Sequence, residues 1–270
     1  MIFATDLDRT LLPDGKEEYD GSIPLLFRRL EDFKHTLVYV SGRNTDLLNE
    51  AVSKYGIKLP DYFIGEAGTV IYVNEKGVMV PDKSWILHLK EENPNWDRRV
   101  LVQKIGMESV LTLQEGWKQN PYKISYYLKD YSLEDEVLGK INSVLAENKI
   151  NSKASWSVDP LQEVGLIDII PDSATKLAAL EFVREKLGEN KDGVIYCGDS
   201  GNDVLPLAAG YKAILVKNAP EDVKDEIMKE MKKKGLDNKL YIAKGGGKLN
   251  GNYSSGIIEG LVHFGIIEQE

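Results

Sequence analysis

The chain holds a single cysteine, Cys197. It cannot close an internal disulfide, and no second cysteine or histidine stands near it at metal-ligand spacing, so a small buried hydrophobe is the expected role. Histidine is nearly as scarce: His35, His88 and His263 lie far apart and form no cluster, leaving catalysis by histidine unsupported. Positive charge is also in deficit. Lys and Arg number 34 against 43 Asp and Glu, a net charge of −9, and the basic footprint of a nucleic-acid binder is missing. No apolar run approaches the length of a membrane span, and Met1–Asp6 has no basic flank and meets an acid at its sixth position, unlike a signal peptide or anchor. The expectation is a cytoplasmic protein with neither nucleic acid nor membrane as partner. Internal repeats and low-complexity tracts are absent.

What is present is 42% hydrophobic content, enough for one large core or for a core with a smaller inserted domain. Short apolar runs rich in β-branched residues and tyrosine alternate with stretches of helical period, the pattern of a parallel sheet flanked by helices. Strands are expected at Ile2–Thr5, Thr36–Val40, Val194–Cys197, Ala213–Val216 and Leu240–Ile242. Helices are expected at Thr45–Tyr55, Lys176–Leu187, Val204–Ala209 and Asp222–Lys234. Between Pro81 and Pro171 the texture changes, with alternation at Lys123–Leu128 and Leu166–Ile170, helical stretches at Arg98–Ile105 and Leu133–Glu147, and all four tryptophans. The expected fold class is α/β: a Rossmann-like parallel-sheet core over residues 1–80 and 172–270, with an α+β domain inserted at 81–171.

Two acidic loops carry the chemistry. Asp6-Leu7-Asp8-Arg9-Thr10 follows the first strand directly, presenting two carboxylates at its end. One can attack phosphorus, while the other protonates the leaving alkoxide and later deprotonates water. Gly198-Asp199-Ser200-Gly201-Asn202-Asp203 follows a second strand and leads into a short helix. Carboxylates facing further acids and a phosphate need a hard cation, and oxygen-only ligands favour Mg²⁺. Asp199, first after the strand, is the better ligand candidate; Asp203 would support it directly or through water. Ser41-Gly42-Arg43 opens a helix where amides and a hydroxyl can hold a phosphate oxygen, and Lys176 can add a fixed positive charge.

The order Asp-x-Asp-x-Thr, then Ser, an insert, Lys, and Gly-Asp-x-Gly-Asn-Asp resembles the haloacid-dehalogenase superfamily along the whole chain, in the subgroup with a C2-type cap between the second and third motifs. That resemblance implies Asp6 as nucleophile, Asp8 as general acid and base, and Thr10, Ser41 and Gly42 as phosphate contacts. It implies Lys176 as charge stabiliser, and Asp6, the Asp8 carbonyl and Asp199 as Mg²⁺ ligands, with Asn202 and Asp203 supporting them.

Gln119-Asn120-Pro121-Tyr122-Lys123-Ile124-Ser125-Tyr126, Lys217-Asn218-Ala219 and His263-Phe264 further resemble the sucrose-phosphate phosphatase family, which includes phosphatases of glycosyl-3-phosphoglycerates. Arg9 stands where that pattern has Gly or Asn. The implied activity is Mg²⁺-dependent hydrolysis of a phosphorylated disaccharide or glycoside, with Gln119, Asn120, Lys123 and Tyr126 of the cap as sugar contacts. A glycosyl-3-phosphoglycerate substrate would call for extra cations, for which Arg98, Arg99, Lys104 and Lys118 are available. A sugar phosphomutase or phosphotransferase would use the same paired aspartates, and a non-catalytic sensor is disfavoured because no catalytic position is lost. Gly245-Gly246-Gly247-Lys248 fails as a nucleotide phosphate loop, since Leu249 stands where Ser or Thr is needed.

Overall fold

The computed structural model describes residues 1–106, 109–159 and 164–268. In chain order, β1 (Ile2–Thr5), α1 (Ile23–Glu31), β2 (Thr36–Val40), α2 (Thr45–Tyr55), β3 (Tyr62–Gly65), β4 (Val70–Glu75) and β5 (Val78–Pro81) come first. Next are α3 (Lys83–Glu92), α4 (Arg98–Ile105), β6 (Leu111–Leu113), β7 (Ile124–Leu128), α5 (Glu134–Glu147), β8 (Ser152–Asp159) and β9 (Val164–Pro171). The chain closes with α6 (Lys176–Lys186), β10 (Val194–Gly198), α7 (Val204–Leu207), β11 (Lys212–Leu215), α8 (Glu221–Lys234), β12 (Leu240–Ile242) and α9 (Ser254–His263).

Two compact units result: Met1–Asp82 with Ala179–Glu270, and Lys83–Ala178. The second unit continues past Pro171. A 3₁₀ turn at Asp172–Ala174 packs on α3, and the Asn93 amide donates to Ser173 Oγ at 2.7 Å.

The first unit is built on one sheet in the order β12-β11-β10-β1-β2-β3-β4-β5, parallel from β12 to β3 and antiparallel beyond. All four residues of β1 are buried, as expected of a central parallel strand covered on both faces. Its register pairs Thr5 with Cys197 on one side and with Tyr39 on the other. Asp6 and Gly198 therefore emerge level with each other, with Ser41 just beyond the end of β2. The chain runs outward from β1 through β2 to β5 on one side and returns after the second unit to β10 on the other, which makes the carboxyl end of β1 a topological switch point where α/β sheets bind ligands. The antiparallel extension β3–β4–β5 was not expected from the sequence. It turns at Glu66–Gly68, where Glu66 and Ala67 both take positive φ.

Helix boundaries follow local chemistry. The Asn44 side chain accepts from Leu47 N at 3.0 Å and caps α2, whose far end closes on Gly56 in the left-handed region. Acids open α8 and lysines close it, complementing the helix dipole, and Val223, Ile227 and Met231 form its buried stripe.

The second unit is an antiparallel sheet in the order β6-β7-β9-β8. Its core joins Leu101 and Ile105 of α4 and Val137, Ile141 and Leu145 of α5 to Ile124, Leu128, Ile167 and Ile169 of the sheet. No described helix is long and apolar enough to cross a membrane.

Candidate active site

The loop after β1 is wound tightly around Leu7, whose carbonyl accepts from the amides of Thr10, Leu11 and Leu12 at 3.3, 3.0 and 2.8 Å. The winding puts Arg9 in the left-handed region at φ 59°. It also brings Thr10 back toward β10, where its hydroxyl donates to Asp199 Oδ1 at 3.0 Å. Asp6 is buried at the mouth of the sheet, and its amide donates to Cys197 O at 2.9 Å.

Gly198 ends β10 because nothing larger fits: a Cβ there would lie 2.6 Å from the Cβ of Asp203. That close approach lets the Asp203 carboxylate organise the loop. Its Oδ1 accepts from the buried Tyr196 hydroxyl at 2.6 Å, and its Oδ2 accepts from the amides of Asp199 and Ser200, both at 3.2 Å, and from Ser200 Oγ at 3.1 Å. Asn202 is exposed, and its side-chain oxygen accepts from Ser200 Oγ at 3.1 Å.

Asp6, Asp199 and Asp203 are all buried, each with an oxygen within 4.8 Å of the others'. Three carboxylates so close in a low-dielectric site repel strongly unless a cation sits among them. The donor set is oxygen only, which fits Mg²⁺. Asp203, with four donors on its carboxylate, holds the loop in place, and Asp199 Oδ2 lies 3.6 Å from Arg9 Nε.

Asp8 faces a different neighbour. Arg43 donates to Asp8 Oδ1 through Nε at 2.7 Å and Nη2 at 2.5 Å, and Ser41 Oγ donates to Oδ2 at 3.3 Å. Burial pushes the Asp8 pKa up, yet the hydrogen bonds of Arg43, Asp14 and Ser41 and the charge of Arg43 together outweigh it and the net shift is downward. Arg43 also reaches Asp14 Oδ2 at 3.2 Å. Burial and the neighbouring Asp8 charge raise Asp14 to about 6.

Asp6, Asp8, Thr10, Ser41, Asp199 and Asp203 thus gather at the ends of β1, β2 and β10. The hydroxyls expected to meet phosphate are hydrogen-bonded to carboxylates, Thr10 to Asp199 and Ser41 to Asp8. Gly42 is exposed at the head of α2, and Lys176 opens α6 as a buried lysine. Arg43 and Asp14 were missed as functional residues. Arg43 stands beside Ser41 and Gly42 in the same motif, but nothing in the sequence says that its side chain turns back to Asp8.

In the second unit, Gln119 is occupied internally. Its Nε2 donates to the carbonyls of Gln114 and Ser125 at 3.1 and 2.7 Å, and its Oε1 accepts from Ser125 N at 3.0 Å and Arg98 Nη2 at 3.1 Å. Tyr126 is buried in the unit's core. The direct sugar contacts expected of these two side chains meet a physical obstacle: one has its hydrogen bonds filled and the other its ring enclosed. Asn120 accepts from Tyr122 N at 2.8 Å, and Lys123 Nζ lies 3.6 Å from Asp168. A cavity of roughly 590 Å³ is lined by Asp97, Arg98, Arg99, Gln119, Asn120 and Tyr122, among others, so Gln119 borders it despite its internal hydrogen bonds. Lys104 is hydrogen-bonded to Asn148 and Lys118 to the Tyr127 hydroxyl.

A family model for sucrose-6F-phosphate phosphohydrolase matches residues 1–265. The chain belongs to this family. Membership makes it a phosphatase of the haloacid-dehalogenase type. A putative hydrolase of that type from Nitrosococcus oceani is 36% identical, over 98% of this chain and 71% of its own length. Sucrose-phosphatase 1 of Nicotiana tabacum is 29% identical over 83% of this chain, and the match spans about half of that longer protein, 51%. Mannosylfructose-phosphate phosphatase of Agrobacterium fabrum is 25% identical over 98% of this chain and 97% of its own. Among solved structures, the sucrose-phosphatase of Synechocystis, in complex with sucrose and phosphate, superposes with a TM-score of 0.75 over 98% of both chains at 23% identity, a likeness of fold.

Proposed function

We propose that this chain hydrolyses the phosphomonoester of a phosphorylated disaccharide or glycoside resembling sucrose 6-phosphate, through a phosphorylated Asp6. The observation that carries the reading is the buried cluster of Asp6, Asp199 and Asp203 at the switch point of the sheet, with Asp8 beside it on the same loop. A carboxylate oxygen of Asp6 attacks phosphorus in line as the ester bond breaks, and the leaving sugar alkoxide takes a proton from Asp8. Asp8 then accepts a proton from water, which attacks phosphorus, frees inorganic phosphate and restores Asp6. Thr10, Ser41 and Gly42 hold the phosphoryl oxygens, and Lys176 offsets their charge. Mg²⁺, held by Asp6, Asp199 and the Asp8 carbonyl with support from Asn202 and Asp203, would neutralise charge that four carboxylates and a phosphate could not otherwise bring together.

The substrate in the family's name and that in the mannosylfructose relative's name both contain a fructosyl unit, and the O6 alkoxide of such a unit is the leaving group we assign. A glycosyl-3-phosphoglycerate is the second reading, favoured by Arg98 and Arg99 on the cavity of the second unit, where a carboxylate would find cations. Phosphate release with Mg²⁺ from sucrose 6-phosphate, mannosylfructose phosphate, glycosyl-3-phosphoglycerates and simple hexose phosphates ranks them. Turnover in water labelled with oxygen-18 tests hydrolysis itself: label absent from the released phosphate would mean transfer to a sugar hydroxyl.

A further inference from the structure

A second cavity, of roughly 580 Å³, lies in the first unit and shares no residue with the acidic cluster. Its walls are Leu25 and Arg29 of α1, Tyr241 of β12, Glu259, Val262 and His263 of α9, and the turn from Gly246 to Leu249. The volume is in the range of small-molecule sites.

The charge balance of this cleft is opposite to that of the chain. Its lining cations are Lys248 and Arg29, the latter donating through Nη1 to Glu268 O at 2.9 Å, and Glu259 is its one lining carboxylate. Glu259 is already engaged, accepting from the amides of Lys244 at 3.0 Å and Gly245 at 3.1 Å and from the Tyr241 hydroxyl at 3.3 Å. Among the described residues, by contrast, Lys248 has no ion pair or hydrogen bond through its ammonium, and the amides of Gly247 and Lys248 have no acceptor. The Lys248 ammonium and the two successive amides lie on one exposed turn at the cleft and are donors suited to an anion.

The turn is held in shape without a ligand. Gly246 and Leu249 exchange both backbone hydrogen bonds, at 2.7 and 3.2 Å. The Asn250 amide donates to Asp20 Oδ2 at 3.0 Å, and the Asn250 side chain donates to Glu18 O at 2.9 Å. Gly245 sits at φ 77°, where a Cβ would fall 2.4 Å from Asn250 O. Little ordering cost therefore attends binding. Tyr241 and His263 stack on each other at 4.6 Å and Phe264 meets His263 edge-on at 5.0 Å, which uses ring faces a nucleobase would need. Leu25, Leu249 and Val262 supply an apolar wall beside polar ring edges, a surface suited to a hydroxylated carbon skeleton.

We propose that this cleft is a second binding site, for a small phosphorylated sugar, with the phosphate on the Lys248 ammonium and the Gly247 and Lys248 amides. The test is an NMR titration of the full-length Asp6→Asn protein, which removes turnover from the readout, with glucose 6-phosphate, glucose and uridine monophosphate as probes. Saturable shifts of the Gly247 and Lys248 amides and of the His263 ring are expected with glucose 6-phosphate and not with glucose. Lys248→Glu, on an exposed turn, is expected to weaken that binding by about tenfold or more while shifts at Thr10 and Ser41 persist. Unmoved Gly247 and Lys248 amides, shifts indifferent to Lys248→Glu, or tighter binding of uridine monophosphate than of glucose 6-phosphate would each overturn the proposal. None of these readouts depends on whether the acidic cluster hydrolyses anything.

Discussion

Arg43 grips Asp8 by a single oxygen, with Nε at 2.7 Å and Nη2 at 2.5 Å from Oδ1. The contact fixes where the Asp8 carboxyl sits and favours its charged form. Asp8 is the group proposed to carry the proton, so Arg43 acts as its positioning residue. Arg43→Ala is expected to lower kcat by roughly 10²-fold, the scale set by a misplaced catalytic group. Asp8 loses the first of the partners that lower its pKa, so its limb of the pH–rate profile should move to higher pH. An unchanged profile would remove Arg43 from this role.

Gly198 and Asp203 make a second prediction. A methyl at position 198 meets Asp203 Cβ at 2.6 Å and Cγ at 2.7 Å, and the surrounding loop is pinned by four hydrogen bonds to that carboxylate. Gly198→Ala should cost about 1–3 kcal/mol by overpacking, read from urea denaturation, and should weaken Mg²⁺ binding. Near-native stability would mean that Asp203 can step aside, contrary to its full hydrogen bonding.

Metal removal tests the acidic cluster without reference to any substrate. Mg²⁺ bound among Asp6, Asp199 and Asp203 relieves their repulsion in the folded state alone, so it should raise the melting temperature with saturable dependence on concentration. Asp199→Asn should abolish most of that rise. Excess chelator should abolish phosphate release, and Ca²⁺, with its larger and looser coordination shell, should inhibit. A melting temperature indifferent to Mg²⁺ would contradict the assignment.

Asp14 supplies a pH prediction with a definite sign. Burial, then the adjacent Asp8 carboxylate, raises its folded pKa to about 6, above the ordinary 3.8. The folded protein therefore binds this proton more tightly than the unfolded chain does. Its contribution to stability is full below the unfolded value and is lost as pH rises through about 6. In metal-free protein, Asp14→Asn should gain in melting temperature relative to wild type as pH goes from about 4 to about 8. A difference that stays constant or runs the other way would refute the assigned shift.

Much of the architecture was legible because period and punctuation carry it. Ile2–Thr5, Thr36–Val40 and Thr45–Tyr55 occupy the spans expected of them, and Val194–Cys197 extends by only Gly198. The β3–β5 meander was not legible: Val70–Glu75 and Val78–Pro81 lack clean alternation, and they become strands by adding to an edge that the sequence does not reveal. Asp6 and Asp199 could be named because acids directly after buried strands have few other reasons to be there. For Gln119 and Tyr126 the motif identifies a segment but not which of its side chains the local packing consumes.

The sequence by itself determined the alternation of strand and helix, the inserted α+β segment and the two acidic loops, since these rest on local periodicity and residue chemistry. Tertiary structure alone decided that Thr5 pairs with Cys197, which sets Asp6 level with Gly198 and brings Asp199 and Asp203 within a metal's reach. It alone turned Arg43 onto Asp8, filled the hydrogen bonds of Gln119 and set Lys248, without a partner among the described residues, beside a cleft. Those facts depend on which side chain meets which across long stretches of chain, a matter of register and packing that no local pattern encodes.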